Sequence, residues 1–408
     1  MPEGRRLRIA LLGYRSAPFS GGQGVYIRYL SQALMMLGHD VTVISGPPYP
    51  HLVDGIRLVK LPSLDLYARD LWSVTRAELS DPLGRREWLS KLTGGFAEPA
   101  TFGERVCNWL LDHAGDFDVV HDNQTLAGGI VDVQRAGLPV VTTIHHPITR
   151  DLRVALEGES RWWRRMMIRR WHSFLTMQAN VASRLNHIVT VSRLSANDIA
   201  TDFGVLPSAI KVVPNGVDTG LFTPLADVKR RPGQLIATAS ADAPLKGLPV
   251  LLRAFKNLHA ADTSRRLVLI ARPKPGGDTE ALISRLDLHD AIRFVGDASH
   301  EDINRLYAES AVAVVPSLYE GFGLPPVEAM ASGVPVVVSN ASCLPEVTGG
   351  AAMLVEPEDV PGFSAHLEQA LLDEEWRGRA MASGLAVAGR YSWDRCARET
   401  VDVYRRMS

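Results

Sequence analysis

The chain has 408 residues, a length suited to two or three domains, and 46% of them are hydrophobic against 22% charged, the balance of a globular protein with more than one core. Lys and Arg number 44 against 45 Asp and Glu, so the formal charge of −1 excludes the basic excess of a dedicated nucleic-acid binder. Cys107, Cys343 and Cys396 stand too far apart for a redox or metal-ligand motif, which argues against a disulfide scaffold or a Cys-rich zinc site and fits a reducing cytoplasm. Arg8 breaks the opening apolar run, so it does not read as a leader, and no stretch approaches the ~18 apolar residues of a spanning helix.

In chain order, Leu7–Leu12 reads as a buried strand, Gly21-Gly22-Gln23-Gly24 as a turn, and the next segment as a helix with Tyr26, Leu30, Ala33, Leu34 and Leu37 on one face. Gly38 stops that helix and Asp40–Ser45 is the next strand, the repeating unit of a doubly wound parallel sheet. Leu61–Gly115 carries no strand signal and reads as a helical excursion. Asp118–His121, Pro139–Ile144 and His187–Val191 continue the first strand series, with Arg161–Arg184 predicted as one long helix before the last of them. Lys211–Pro224 and the charged residues 229–231 read as a linker. A second series follows at Leu235–Ala239, Leu267–Ala271, Ile292–Gly296, Ala311–Val315 and Val334–Val338, and Trp393–Arg406 is helical. The expected organisation is therefore α/β, with two doubly wound Rossmann-like domains at 1–212 and 233–390, a linker at 213–232, and a helix at 391–408 that returns to the first domain. Ligands of such sheets lie beyond the carboxyl ends of the strands, so functional residues belong in loops just after strands, facing a cleft between the domains.

The densest cluster that meets this filter runs from Pro316 to Met330. Gly321 and Gly323 let backbone approach a ligand, Pro325 and Pro326 suit a first helical turn, and the amides ahead of them make an anion site suited to a pyrophosphate. Glu320 in the loop and Glu328 on the helix are spaced to accept hydrogen bonds from two separate hydroxyl-bearing groups. Taken singly, each reads more plainly as a solvated or dipole-complementing Glu; the whole constellation favours function.

Glu320 and Glu328, set in EGFGLP and followed by EAMASGVPVV, resemble the motif of retaining nucleotide-sugar glycosyltransferases of the GT-B fold, in glycosyltransferase family 4. The resemblance spans nearly the whole chain. It implies that Glu320 meets the donor sugar hydroxyls, that Glu328 meets the ribose, and that the backbone of Gly321, Phe322, Gly323 and Leu324 lines the sugar and diphosphate. Gly21 to Gly24 matches the family's glycine loop, with Gly22 toward the donor and Gly24 toward the acceptor, although a bare tight turn is the plainer reading. Pro214–Asp218 matches the family's interdomain crossing. His145, in Ile144-His145-His146-Pro147 at a strand end, matches the active-site histidine, able to donate to a sugar hydroxyl or relay a proton; capping the strand backbone is the alternative. Tyr26, His121, Asn123 and His146 are placed with Gly24 on the acceptor side, His121 being equally readable as structural. Lys246 matches the lysine that neutralises the leaving diphosphate. The family's Arg, five or six residues earlier, is replaced by Ser240 and Ala241; Arg272, just past a strand with Lys274 behind it, is the substitute expected.

These roles imply a retaining, nucleotide-sugar-dependent hexosyltransferase with Glu320, His145 and Lys246 as its catalytic residues. It takes no cofactor and no metal, and its partners are a nucleoside-diphosphate sugar and a small-molecule, glycan or lipid-linked acceptor. The single D-x-D match, Asp116-Phe117-Asp118, precedes a strand and so lies at the wrong end of the sheet for a site. A nucleotide-sugar epimerase and a non-catalytic nucleotide-sugar binder remain as alternatives. The segment Arg161–Trp171, with five Arg, three Trp and no acid, is expected to face its Trp and Met to the core and its Arg to solvent; peripheral contact with the inner membrane face is the rival reading.

Overall fold

The computed structural model describes residues 4–17, 22–238 and 242–407. It divides into two compact units, one formed by Met1–Pro214 with Trp393–Ser408 and the other by Asn215–Ser392. Gly21, Ala239, Ser240 and Ala241 lie outside the described residues, so the glycine turn is seen only from Gly22 onward.

The first unit holds a seven-stranded parallel sheet. Its strands are β1 (Arg8–Gly13), β2 (Asp40–Ser45), β3 (Arg57–Lys60), β4 (Val119–Asn123), β5 (Val140–Ile144), β6 (Ile188–Thr190) and β7 (Ile210–Val212). They lie in the order β3-β2-β1-β4-β5-β6-β7. β4 and β5 are buried along their whole length, as strands covered by helices on both faces must be. The helix Gly22–Met36 buries Tyr26, Ile27, Leu30 and Leu34, and Gly38 beyond it takes a positive φ that a side chain would resist. The C-terminal helix Trp393–Arg405 buries Trp393, Cys396, Ala397, Thr400, Val401 and Tyr404, one continuous helical face. That face completes the core on the Gly22–Met36 side, where Trp393 stacks on Tyr29 with ring centres 5.4 Å apart.

The second unit holds a six-stranded parallel sheet of β8 (Arg231–Thr238), β9 (Arg266–Ile270), β10 (Ile292–Val295), β11 (Ser310–Val315), β12 (Val336–Ser339) and β13 (Met353–Val355). The order is β10-β9-β8-β11-β12-β13. In both sheets the strand order reverses at the first strand, between β1 and β4 and between β8 and β11. A crevice for a ligand opens at such a reversal, beyond the carboxyl ends.

The expected strands are present, shifted by a residue or two at their ends, except that β8 starts four residues early, at Arg231, inside the expected linker. Three more were missed: β3, β7 and β13 are edge strands of only three or four residues, partly exposed and too short to stand out. Leu61–Gly115 is helical, built on Pro82–Leu92 and Glu98–Asp112. The single helix expected over Arg161–Arg184 is two, Trp162–Trp171 and Phe174–Ala182. The His172 ring donates to the Ile168 carbonyl at 2.8 Å and closes the first helix, and only the second has a buried face. The first also does not face its Trp and Met to the core as expected, although most of its Arg do face solvent. Trp162, Trp163, Met166 and Met167 are 49–72% exposed. Its arginines are partly engaged, Arg161 and Arg164 by Glu159 and the Trp163 ring.

Candidate active site

In the second unit, Lys246 and Glu320 come from the loops that follow β8 and β11, the two strands at the reversal. Gly247 brings those loops together: its φ is +63°, and an added Cβ would overlap the Pro316 carbonyl oxygen. The Leu318 amide then donates to the Leu245 carbonyl at 2.8 Å. The result is an ion pair, with Lys246 Nζ donating to Glu320 Oε1 at 2.8 Å, and the same oxygen accepts from Ser317 at 2.8 Å. Ser342, itself at φ +59°, holds the Glu320 backbone from both sides, accepting from its amide at 3.0 Å and donating to its carbonyl at 2.6 Å.

Beyond Glu320 the helix Leu324–Ala331 starts with Gly323 at φ +82° and prolines in its first turn. The amides of Phe322, Gly323 and Leu324 make no hydrogen bond among the described residues, so they are available at a helix N-terminus. The Phe322 ring is buried edge-on against Tyr391, which leaves only its backbone to a ligand. Glu328 projects from this helix, and burial pushes its carboxyl up to about 7. Its carboxylate has no hydrogen-bond partner among the described residues. Arg272 lies past the carboxyl end of β9 as expected, but it is exposed and ion-paired to Asp297.

In the first unit, the turn after β1, the loop after β4 and the loop after β5 converge around His145. Gly24 is required there because a Cβ would overlap the Ala17 carbonyl, whereas Gly22 faces open space. Asn123 ties the loops together: its amide nitrogen donates to the Gln23 carbonyl at 3.2 Å and its amide oxygen accepts from His145 Nε2 at 2.8 Å. Gln124, at φ +56°, accepts from the His145 amide and donates to the His146 carbonyl, both at 2.8 Å. Asp122 accepts from the Thr125 and Leu126 amides, and burial pushes its carboxyl up to about 6.

Burial, then the neighbouring His146, pulls the His145 imidazole down to about 3, so the ring is neutral. With Nε2–H committed to Asn123, Nδ1 is left as an acceptor. This corrects the expected donation to a sugar hydroxyl: the ring is set to receive a hydrogen bond. The Tyr26 ring supports it edge-on, 4.8 Å between centres.

Tyr26, His121 and Asn123 do not reach an acceptor as expected. All three are at most 2% exposed. Tyr26 Oη meets Thr143 Oγ1 at 2.9 Å, Thr143 meets His121 Nε2 at 2.7 Å, and His121 Nδ1 meets Tyr404 Oη at 2.6 Å. Burial pulls His121 down to about 3, so this chain is neutral and runs from the C-terminal helix to the support of His145. His146 is half-buried, 3.8 Å from Asp151. Asp118 of the D-x-D match is taken by Arg5 and Arg8 ahead of β4, far from these loops in the sheet. No three His, Cys, Asp or Glu among the described residues converge as metal ligands, and no described helix is long and apolar enough to cross a membrane. The sequence reading missed Gln124, Ser317, Ser342 and Thr143. Only the post-strand position of Gln124 and Ser317 marked them; Ser342 and Thr143 carry no motif.

Two Rossmann-like units, each with its polar loops at a strand-order reversal, are the architecture of the GT-B fold. The chain belongs to glycosyltransferase family 4. Residues 20–221 match the model described as Glycosyltransferase Family 4, and residues 228–384 the model described as Glycosyl transferases group 1. It is 46% identical to the MMP alpha-(1->4)-mannosyltransferase of Mycolicibacterium hassiacum over 98% of both chains. It is 27% identical to the D-inositol 3-phosphate glycosyltransferase of a Nocardioides species, over 98% of this chain and 90% of that one. In structure it resembles the sucrose-phosphate synthase of Thermosynechococcus elongatus, with a TM-score of 0.74 at 22% identity, covering 98% of this chain and 99% of the other.

Proposed function

We propose that this glycosyltransferase moves a mannosyl group from a nucleoside-diphosphate donor to an acceptor hydroxyl, with retention at the anomeric carbon and without a metal ion. The single observation that carries the donor reading is the Lys246–Glu320 pair beside the amides of Phe322 to Leu324. The mannosyl choice follows the 46% identical mannosyltransferase, and retention follows the resemblance to retaining enzymes.

In this mechanism the diphosphate lies at the helix N-terminus and draws the Lys246 ammonium toward itself as negative charge grows on the leaving oxygen. Glu320, released from Lys246 and still held by Ser317, accepts hydrogen bonds from the sugar hydroxyls and fixes the ring. The unpartnered Glu328 carboxylate takes the ribose hydroxyls. The acceptor oxygen bonds to the anomeric carbon as the bond to the diphosphate oxygen breaks, and that phosphate oxygen receives the acceptor proton on the same face. Neutral His145 accepts a hydrogen bond through Nδ1, orienting a hydroxyl without removing its proton. The exposed Trp162, Trp163 and Met166 beside Arg169 favour peripheral membrane contact as a second property, tested by flotation with anionic vesicles.

The test is transfer from nucleoside-diphosphate mannose, followed by release of nucleoside diphosphate, with and without EDTA. Wild-type turnover that EDTA leaves intact, lost in Glu320→Ala, is the expected result. Donor isomerisation without transfer would instead assign an epimerase, and binding without turnover a nucleotide-sugar binder.

A further inference from the structure

We propose that a groove on the helical side of the first unit binds a small amphiphile, a carboxylate or phosphate head on a single apolar chain. The groove lies among the helices Pro82–Leu92, Glu98–Asp112, Trp162–Trp171 and Phe174–Ala182 and measures about 800 Å³. That is within the ~300–1,000 Å³ of small-ligand sites. None of the loop residues placed around His145 lines it, so the inference stands independently of the mannosyl-transfer reading.

The charge of the groove selects an anion. Arg85, Arg86 and Arg170 line it and no carboxylate does. Arg86 is neutralised by Glu104. Asp81 and Glu87, the acids that cap and occupy the helix Pro82–Leu92, are both held by Arg105, which lies outside the lining. Arg85 makes no ion pair or side-chain hydrogen bond among the described residues. Arg170 is positioned without being neutralised: its guanidinium donates to Thr93 Oγ1 at 2.9 Å and to Ser173 Oγ at 3.1 Å. It lies against Gly95, where an added Cβ would come within 2.7 Å of the guanidinium carbon. Two guanidinium groups therefore face one groove without a counter-charge, each with donors left for an oxyanion. Ser173 also opens the helix Phe174–Ala182, which brings the positive end of that helix to the same wall.

The rest of the wall is apolar, with Leu89, Phe96, Phe174 and Met177 in it. Phe96 meets Phe174 edge-on at 5.5 Å, and Leu89 is 55% exposed, a surface that an apolar chain would cover. An inorganic anion would leave that surface wet, and an uncharged chain would make no use of the arginines. A ligand with both parts satisfies the groove. A single molecule is the occupant, because charge and apolar wall share one cavity of single-ligand size.

The experiment titrates the full chain with sodium octanoate, octan-1-ol and inorganic phosphate, followed by ligand-observed NMR. Octanoate is expected to bind saturably and roughly tenfold or more tighter than either of the others. Arg85→Ala, an exposed change that spares the core, weakens octanoate roughly tenfold, the scale of one lost hydrogen bond to a charged group, and Arg170→Ala does likewise. Arg76→Ala, which removes an exposed arginine outside the lining, leaves the affinity unchanged. Octanoate bound no more tightly than octan-1-ol, or an affinity that neither Arg85→Ala nor Arg170→Ala changes, overturns the proposal. So does flotation with phosphatidylglycerol vesicles that both variants abolish while octanoate does not bind, a result that would assign these arginines to a membrane surface.

Discussion

The two crevices are built alike and charged differently. In the second unit the loops after the central strands carry an ion pair and open amides, Lys246 on Glu320 ahead of the Leu324–Ala331 helix. In the first unit the chain of bonds around His145 is neutral: burial holds His145 and His121 near 3, and the links through Asn123, Thr143 and Tyr404 are uncharged hydrogen bonds. In the proposed mechanism the contrast divides the labour: charge that develops on a diphosphate needs mobile charge opposite it, whereas placing a hydroxyl needs a rigid, uncharged surface.

The sharpest way to break this comparison is to remove the charge. Glu320→Ala should lower turnover by roughly 10²–10³-fold or more, with the melting temperature retained, because the group proposed to hold the sugar hydroxyls is lost. Nucleoside-diphosphate release assays beside thermal unfolding check this, and near-wild-type turnover removes Glu320 from the site. Lys246→Ala should follow with on the order of a hundredfold loss in kcat.

On the neutral side, Asn123→Leu should cost about tenfold in kcat with donor affinity unchanged, since the Nε2–H of His145 loses the acceptor that fixes its tautomer. The pH–rate profile should show no histidine inflection near 6.5, because His145 stays neutral above about 3. A step at 6.5 that vanishes in His145→Ala would contradict the neutral network.

Glu328 sharpens the comparison through pH. Its folded value of about 7 exceeds the ordinary carboxylate range, so the folded state binds more protons than the unfolded chain between those values. Ligand-free stability therefore carries a penalty that grows as pH rises through that window. Ribose hydroxyls favour the ionised form, so nucleoside-diphosphate mannose, whose diphosphate does not titrate there, should bind more tightly at pH 8 than at pH 6. Calorimetric titration should find Glu328→Gln flattening that dependence.

The smallest effect is structural. Tyr404→Phe leaves His121 Nδ1 buried without its partner and should cost about 1–3 kcal/mol, read in denaturant melts. No loss there would mean that the C-terminal helix does not anchor the network.

Much of this was legible in order along the chain. β-branched runs named the long strands because parallel strands buried on both faces must be continuously apolar. The edge strands β3, β7 and β13 escaped because three or four residues are too short to show a strand's periodicity. The glycines were legible as points of close approach, but which mattered was not: Gly24 is constrained by the Ala17 carbonyl of the preceding turn, Gly247 by the Pro316 carbonyl of a loop distant in sequence, and Gly22 by nothing.

What the sequence by itself determined is the alternation that makes two parallel sheets and the loops that leave their carboxyl ends, since periodicity and turn chemistry are local. Tertiary structure alone decided the protonation of His145, the burial of Tyr26 and His121 and the pairing of Lys246 with Glu320. Each depends on desolvation or on partners brought from elsewhere in the chain, and those are set by packing rather than by neighbours in sequence.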